Sequence, residues 1–323
     1  MFAVYATKGN PQNPLESLAI GERPEPVLKD GWVRVKVSHA SLNRHDIFTL
    51  QGLTAQEAPI PFPMIMGNDG CGTLDDGTDV IIFPVMGDPD WKGDEMEDPK
   101  WHVFSELVPG TFADYVAVPK RNAIPRSKEI SALDASVLGT AWLTAYRILF
   151  TKSNLRSGQT MLVQGASGGM ATALIQMGRA AGFEVWVTSR SHDGAKLAEK
   201  LGAHHIFKSG EKLPRKVDAV FDNVGLATFE HSLGSTRRGG TVVTVGVTTG
   251  LEAKINLLDL FVNNIIVTGS TMGTLDEMKN LIQFVISSGI KPEIGQIVSM
   301  DQAKESFKAM WEGRIRGKTV FTR

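Results

Sequence analysis

The residues best suited to chemistry lie between positions 161 and 190 of this 323-residue chain. Gly165-Ala166-Ser167-Gly168-Gly169-Met170-Ala171 is a glycine-rich turn. It follows a short apolar run, Met161-Leu162-Val163-Gln164, and precedes a segment from Met170 to Ala181 with helical apolar spacing that stops at Gly182. A second apolar run, Glu184-Val185-Trp186-Val187-Thr188, ends at Ser189-Arg190. Glycines let a backbone turn tightly and approach a phosphate, and a helix start offers unpaired N–H donors and the positive end of its dipole. Alone, such a turn says little; between two strands of a βαβ unit it points to a dinucleotide. Gly165, Ala166, Ser167, Gly168, Gly169 and Met170 are therefore expected to bind a cofactor. At the end of the second strand NAD binders usually carry an acid that accepts from the ribose 2′-OH. Ser189 and Arg190 stand there instead, and a guanidinium attracts a 2′-phosphate that a carboxylate would repel. The expected cofactor is NADP(H), the alternative being a solvated arginine beside an NAD site.

Strand–helix alternation must position that turn. From about Ile130 the pattern gives strands at 161–164, 184–188, 204–207, 217–221, 241–246 and 264–268. It gives helices at 170–181, 194–201 and 226–238, closed by Gly182, Gly202 and Gly239. Such alternation builds an open parallel sheet covered on both faces. The N-terminal third is β-patterned instead, with strands at 32–37, 79–83 and 112–118. Thr274-Leu275-Asp276-Glu277 is a capping box, another helix opens near Ser299-Met300-Asp301-Gln302, and Lys318-Thr319-Val320-Phe321 is a strand returning to the first domain. The expected architecture is α/β, with a β-rich domain (1–125 and 271–323) and a doubly wound dinucleotide-binding domain (126–270).

A chain of this length can bury two cores. Its apolar content (42%) and charged content (21%) are ordinary, and a net charge of −1 without a basic block gives no reason to expect nucleic acid or an anionic membrane as partner. With no signal-like start and no apolar run of spanning length, a cytoplasmic protein is expected. The single cysteine, Cys71, excludes an intrachain disulfide and a cysteine-rich metal site. The carboxylates between Asp88 and Glu106 do not match an EF-hand loop and read as a solvated lid anchored by Trp91 and Trp101. His204 and His205 point to opposite faces of a strand, which does not make a metal site.

The chain resembles the medium-chain dehydrogenase/reductase superfamily, and within it the zinc-free quinone oxidoreductase-like branch, over nearly its whole length. The resemblance rests on Leu42-Asn43-Arg44-His45-Asp46, Gly67-Asn68-Asp69-Gly70-Cys71-Gly72, Gly110-Thr111-Phe112-Ala113-Asp114-Tyr115, Thr144-Ala145-Tyr146, the glycine-rich turn, Val217-Asp218 with Asp222-Asn223-Val224-Gly225, and Gly317-Lys318-Thr319-Val320. It implies a GroES-like β-rich catalytic domain beside a Rossmann domain. It also aligns Asn43, Asn68 and Thr140 with the three catalytic zinc ligands of related alcohol dehydrogenases. Amides and a hydroxyl are poor zinc ligands, so a metal-free protein is expected.

Without a Lewis acid, making an alkoxide from an unactivated alcohol is difficult. Hydride transfer to a quinone or an α,β-unsaturated carbonyl needs less help, because charge is delocalised onto oxygen. By resemblance, Asn43 and Thr144 lie near the nicotinamide or its ribose, Arg44 and Lys318 approach the pyrophosphate, and Asn223, Gly246, Thr248 and Ser270 line the cofactor site. Asp46 and Asp69 take structural positions. His45 stands where zinc alcohol dehydrogenases carry a proton-relay hydroxyl; as an imidazole it can give a proton to the product or serve only as a bonded structural residue. His45, Asn43 and Thr144 form the expected catalytic set. The expected activity is an NADPH-dependent quinone or enone reductase acting on a small molecule. A dehydrogenase of small alcohols or aldehydes, or a non-catalytic NADPH-binding protein, are the alternatives. The apolar run Asn264-Ile265-Ile266-Val267-Thr268 at a sheet edge predicts a homodimer.

Overall fold

The computed structural model describes residues 1–54 and 58–323. They form two compact units, Met1–Leu143 with Met272–Arg323, and Thr144–Thr271. The first unit extends past the expected boundary at 125/126 because the next stretch is tied to its strands. Arg126 bonds Asp79, Cys71 Sγ donates to the Ala132 carbonyl (3.0 Å), and the Thr140 N–H donates to Asp69 (3.1 Å).

In the first unit the strands are β1 (Phe2–Ala6), β2 (Leu18–Glu22), β3 (Trp32–Leu42), β4 (Met64–Ile65), β5 (Asp69–Leu74), β6 (Asp79–Ile82), β7 (Val85–Met86), β8 (His102–Val103), β9 (Tyr115–Pro119) and β10 (Ala123–Pro125). Helix α1 (Arg44–Gln51) follows β3 directly, α2 (Ala132–Ala135) follows β10, and α3 (Leu143–Arg147) lies where the chain passes to the second unit. That unit holds β11 (Thr160–Val163), α4 (Gly169–Ala180), β12 (Glu184–Ser189), α5 (His192–Lys200), β13 (His205–Lys208), β14 (Val217–Asp222), α6 (Leu226–Ser235), β15 (Thr236–Thr244), α7 (Leu257–Val262) and β16 (Ile266–Gly269). The chain then returns through α8 (Leu275–Ser288), β17 (Ile294–Ser299), α9 (Ala303–Trp311) and β18 (Lys318–Thr322).

β18 pairs antiparallel with β3, Thr319 opposite Leu42, and parallel with β17, so the C-terminal strand completes the first unit's main sheet, as the sequence predicts. Its core gathers Val35, Leu42, Ile47, Leu50, Met66 and Phe104 around Phe112, whose ring meets Phe307 and Phe321 edge-on. The phenylalanine that opens the expected strand at 112–118 is thus core, and regular pairing begins at Tyr115. The sheet of the second unit is wholly parallel, in the order β13-β12-β11-β14-β15-β16. Its central strands are apolar on both faces, as a parallel sheet covered by helices requires. This is the doubly wound order 3-2-1-4-5-6, whose switch point lies between β11 and β14.

Several expected elements shift. Helix α6 stops at Ser235, and Gly239 (φ 70°) lies within β15 rather than closing the helix. β15 runs earlier than 241–246, because Thr236 already pairs with Val217. β16 begins at Ile266, after Asn264 takes a positive φ of 50°. Thr274 and Glu277 form the predicted reciprocal cap, whereas Ser299 precedes a short 3₁₀ turn with no side-chain cap. The lid between 88 and 106 is not uniformly solvated. Asp98 is buried, accepting from the N–H groups of Asp88 and Lys100, while Trp91 is exposed rather than an anchor.

At the start of β12, burial would raise the Glu184 carboxyl. Hydrogen bonds from Thr160 Oγ1 (2.8 Å), Trp186 Nε1 (2.9 Å) and the Arg215 guanidinium outweigh that and bring it down to about 2. A carboxyl held below its ordinary range stabilises the fold at pH values above that range, and the contribution is lost as pH falls through it toward about 2. Glu184→Gln should therefore destabilise the protein at neutral pH and lose that effect as the acid limb is descended. Urea midpoints of both proteins across that range check this; an equal loss at every pH would assign Glu184 to packing alone.

Candidate functional site

The glycine-rich turn leaves β11 at the switch point. Gly165 adopts φ 87°, a left-handed conformation in which a side chain is strained, and its N–H donates to Thr188 Oγ1 (3.1 Å). Gly168 opens α4 without a side-chain cap, and the Thr172 N–H returns to the Gly168 carbonyl (2.9 Å). The N–H groups of Gly169, Met170 and Ala171 therefore lack intrahelical acceptors. A Cβ placed on Gly168 would meet nothing within 4 Å, so the backbone at the start of α4 is open on that side.

The loops after β14 and β15 close on the same point. A Cβ on Gly246 would lie 2.2 Å from the Asn223 carbonyl oxygen, and one on Gly165 would lie 3.8 Å from Asn223 Oδ1. Gly165, Asn223 and Gly246 are thus brought together. Thr248 Oγ1 donates to the Val224 carbonyl (3.2 Å), bracing the loop. Ser270 follows β16, its N–H on the Thr244 carbonyl (3.2 Å) and its Oγ buried without a partner. Ser189 Oγ donates to the Ser191 carbonyl (2.9 Å), and Arg190 beside it is exposed. Strand register sets Lys208, at the end of β13, opposite Ser189. The sequence reading missed this second cation, because only strand pairing reveals it. Free helix donors, an open glycine and an orphan hydroxyl fit a dinucleotide.

In the first unit, Asn43 caps α1 in a reciprocal box: the Asn43 N–H donates to Asp46 Oδ2 (2.8 Å). Asp46 Oδ1 takes the Gly67 N–H (3.0 Å). Complete burial pushes the Asp46 carboxyl up to about 7, against the Asn43 hydrogen bond and the nearby cations. The Asn43 amide nitrogen donates to Asp69 Oδ1 (3.1 Å) and the Ser41 carbonyl (3.0 Å), and its oxygen accepts from Lys318 Nζ (2.5 Å). Lys318 is buried and also donates to the Leu42 carbonyl (2.8 Å). Burial pulls its ammonium below the usual lysine range, while Asp69 and Asp46 oppose that shift. Lys318, which the resemblance sends toward the pyrophosphate, here holds Asn43. Arg44 is half-buried over the Trp311 ring (5.8 Å), with an unpartnered Nε. Thr144 is buried at the start of the second unit.

His45 is bonded at both ring nitrogens. Nε2 lies 2.9 Å from Glu106 Oε1, and Glu106 is 1% exposed. Nδ1 lies 3.2 Å from Asn68 Nδ2, which also donates to the Phe104 carbonyl (2.7 Å). A carbonyl only accepts, so this atom of Asn68 is the amide nitrogen. Nδ1 thus faces an amide donor that it shares with the Phe104 carbonyl and Ser105, and Nε2 faces the Glu106 carboxylate. Ser105 holds the turn that delivers Glu106 at φ 65°, with its Oγ near Asn68 (3.0 Å) and Thr49 (3.4 Å). Glu106 falls within the stretch the sequence reading took for a solvated lid, and no local signal marks it as buried.

These partners do not fit a zinc ion. The oxygen of Asn43 is taken by an ammonium, both amide nitrogens face protein acceptors, and Asn68 Oδ1, buried without a partner, is a single neutral donor. Among the described residues no group of three His, Cys, Asp or Glu side chains converges as a metal site. His204 precedes β13 and accepts the Val185 N–H at Nδ1 (2.8 Å).

Residues 29–128 match the alcohol dehydrogenase GroES-like domain, and residues 169–287 match the family described as zinc-binding dehydrogenase. The chain belongs to the medium-chain dehydrogenase/reductase superfamily of oxidoreductases. It is 27% identical over 314 residues to quinone oxidoreductase of Mus musculus, spanning 91% of this chain and 89% of that one. It is 25% identical over 326 residues to acryloyl-coenzyme A reductase of Sulfurisphaera tokodaii, spanning 95% and 97%. An NAD-dependent alcohol dehydrogenase of known structure superimposes with a TM-score of 0.91 at 27% identity over 100% of both chains. The 2-octenoyl-CoA carboxylase reductase CinF, solved with NADP and 2-octenoyl-CoA, shares the fold with a TM-score of 0.88 at 20% identity, over 99% and 87%. No helix among the described residues is long and apolar enough to cross a membrane.

Removing Glu106 takes away the buried carboxylate that His45 Nε2 faces. Glu106→Ala should cost about 1–3 kcal/mol, the range for a buried donor left unsatisfied. Equilibrium urea unfolding measures it; a loss near zero would show that His45 finds another acceptor.

Proposed function

We propose that the protein is an NADP(H)-dependent oxidoreductase that transfers hydride to a quinone or an α,β-unsaturated carbonyl without a metal. The observation that carries this reading is the ammonium of Lys318 on the Asn43 oxygen, at a position that the resemblance aligns with a zinc ligand. A cation already held there leaves no role for a Lewis acid, which favours an acceptor that needs none. The names of the quinone oxidoreductase and acryloyl-coenzyme A reductase relatives support the same acceptor class.

A bound reduced nicotinamide supplies the hydride. The N–H groups of Gly169, Met170 and Ala171 hold the pyrophosphate at the start of α4, with Gly165, Ala166, Ser167 and Gly168 shaping the approach. Ser189 and Arg190 take the adenosine 2′-phosphate, and Lys208 adds a second positive charge. Asn223, Gly246, Thr248 and Ser270 border the nicotinamide end; Asn43 and Thr144 take the roles the resemblance gives them. The acceptor gains a hydride and then one proton from solvent or from His45. For His45 to pass a proton, a ring nitrogen must leave Glu106 or Asn68, so its delivery is coupled to that exchange.

We further propose a homodimer. Strand β16 is the sheet edge, and beside it in sequence α7 buries none of its residues, with Leu257 68% and Phe261 66% exposed. An apolar edge of this kind is an aggregation hazard unless paired, and a second copy meets it with the same strand. Light scattering at micromolar concentration should give twice the chain mass; a clean monomer would contradict it.

Turnover tests the main reading. Protein freed of metal by chelation should oxidise NADPH with a panel of quinones and enones, and leave primary alcohols untouched with NADP⁺. Arg190→Ala should weaken NADPH by about one to two orders of magnitude, the worth of a hydrogen bond to a charged group, with NADH nearly unchanged. Zinc-dependent alcohol oxidation would sink the proposed chemistry. Cofactor binding without turnover would favour a non-catalytic NADPH-binding protein. Equal weakening of both cofactors would show that this corner does not read the phosphate.

A further inference from the structure

A side-chain relay beneath the glycine-rich turn has no part in the reading above. Gly165 donates its N–H to Thr188 Oγ1 (3.1 Å), leaving the threonine proton for Gln164 Oε1 (2.7 Å). That fixes the orientation of the Gln164 amide, so its nitrogen faces His231 Nδ1 (2.9 Å) and Ser232 Oγ (3.0 Å). His231 Nε2 lies 2.8 Å from the Glu211 carbonyl oxygen, which only accepts. The ring proton therefore sits on Nε2, and Nδ1 receives the amide. Ser232 Oγ, holding the second branch, donates to Asp222 Oδ2 (2.6 Å), whose other oxygen takes the N–H groups of Val224 (3.0 Å) and Gly225 (2.9 Å).

We propose that Gln164 and His231 are positioning residues for the dinucleotide. The Gln164 amide locks the turn after β11 to the loop after β14, and His231, as the neutral Nε2–H tautomer, holds that amide in the one orientation that serves both loops. The inference rests on the dinucleotide reading of this turn. Gln164, Thr188, Ser232 and Asp222 are all buried, so a broken link is not replaced by bulk water. The donors run in one direction, from Gly165 through Thr188 and Gln164 to His231 and Glu211. An amide turned over would set its oxygen against Nδ1 and its nitrogen against a hydroxyl already short of an acceptor. Neither residue touches the position of the ligand; each acts through the backbone of Gly165 or through Asp222.

The test uses the full chain. Nitrogen-15 NMR of labelled histidine at neutral pH should report His231 as the neutral Nε2–H tautomer; a proton on Nδ1 overturns the proposal whatever the cofactor does. Fluorescence titration should show NADPH and NADH both weakened about threefold to tenfold by Thr188→Val and by His231→Leu, the effect of one neutral hydrogen bond. His231→Asn, which keeps an acceptor near Nδ1, should restore most of the affinity. Unchanged affinity for both cofactors in Thr188→Val and His231→Leu overturns this inference alone. A wild-type protein that binds neither dinucleotide overturns the dinucleotide reading, and this inference with it.

Discussion

An ionised group taken out of water must be surrounded by donors, acceptors or an opposite charge, and both units are organised around meeting that cost. In the second unit the group is Asp222, fully buried at the end of β14, with two backbone N–H groups and the hydroxyls of Thr228 and Ser232 around it. Those bonds give the 223–225 loop its shape, and the loop in turn packs against Gly246. In the first unit Asp46, Asp69 and Lys318 are buried together, with Asn43 between the second carboxylate and the ammonium. Moving any of these side chains would leave a buried polar group without its partner, so the start of α1 and the end of β3 are held firmly.

The same constraint bears on the residues that the resemblance aligns with zinc ligands. A divalent cation near Asp46 and Asp69 would answer their charge, but Lys318 already does so from β18, the last strand. The strand that closes the first unit's sheet therefore also carries the cation of its polar cluster. Asn43 is a natural mediator: its amide donates to a carboxylate and accepts from an ammonium at once, as a thiolate or a carboxylate could not.

His45 illustrates how packing narrows a functional reading. Its type and position suggest an acid free to meet a substrate. The structure gives both nitrogens partners, one a buried carboxylate delivered by a turn that holds Ser105 at a positive φ. A non-glycine residue tolerates that conformation because its hydroxyl reaches Asn68 and lies within bonding distance of Thr49. Proton movement at His45 is thereby tied to a rearrangement of its neighbours.

The alternation of apolar runs with glycine-closed helices was enough to determine the doubly wound sheet, because strand and helix periods are local and the glycine-rich turn has few other uses. The reciprocal cap at Thr274, and the left-handed Gly182 and Gly202 just past two helix ends, were equally local. Gly239 misled for the same reason: a glycine after an apolar run closes a helix in isolation, but pairing of Thr236 with Val217 draws that stretch into β15. Glu106 beside His45, Lys318 on Asn43, and Lys208 opposite Ser189 were decided only by tertiary structure. Each joins residues distant in sequence or on separate strands, and the types of Glu and Lys alone favour the solvated surface. Only the fold, by closing one sheet with the last strand and turning residues 103–106 inward, removes water from Lys318 and Glu106 and so selects the partners they must find, while Lys208 is set beside Ser189 by strand register alone.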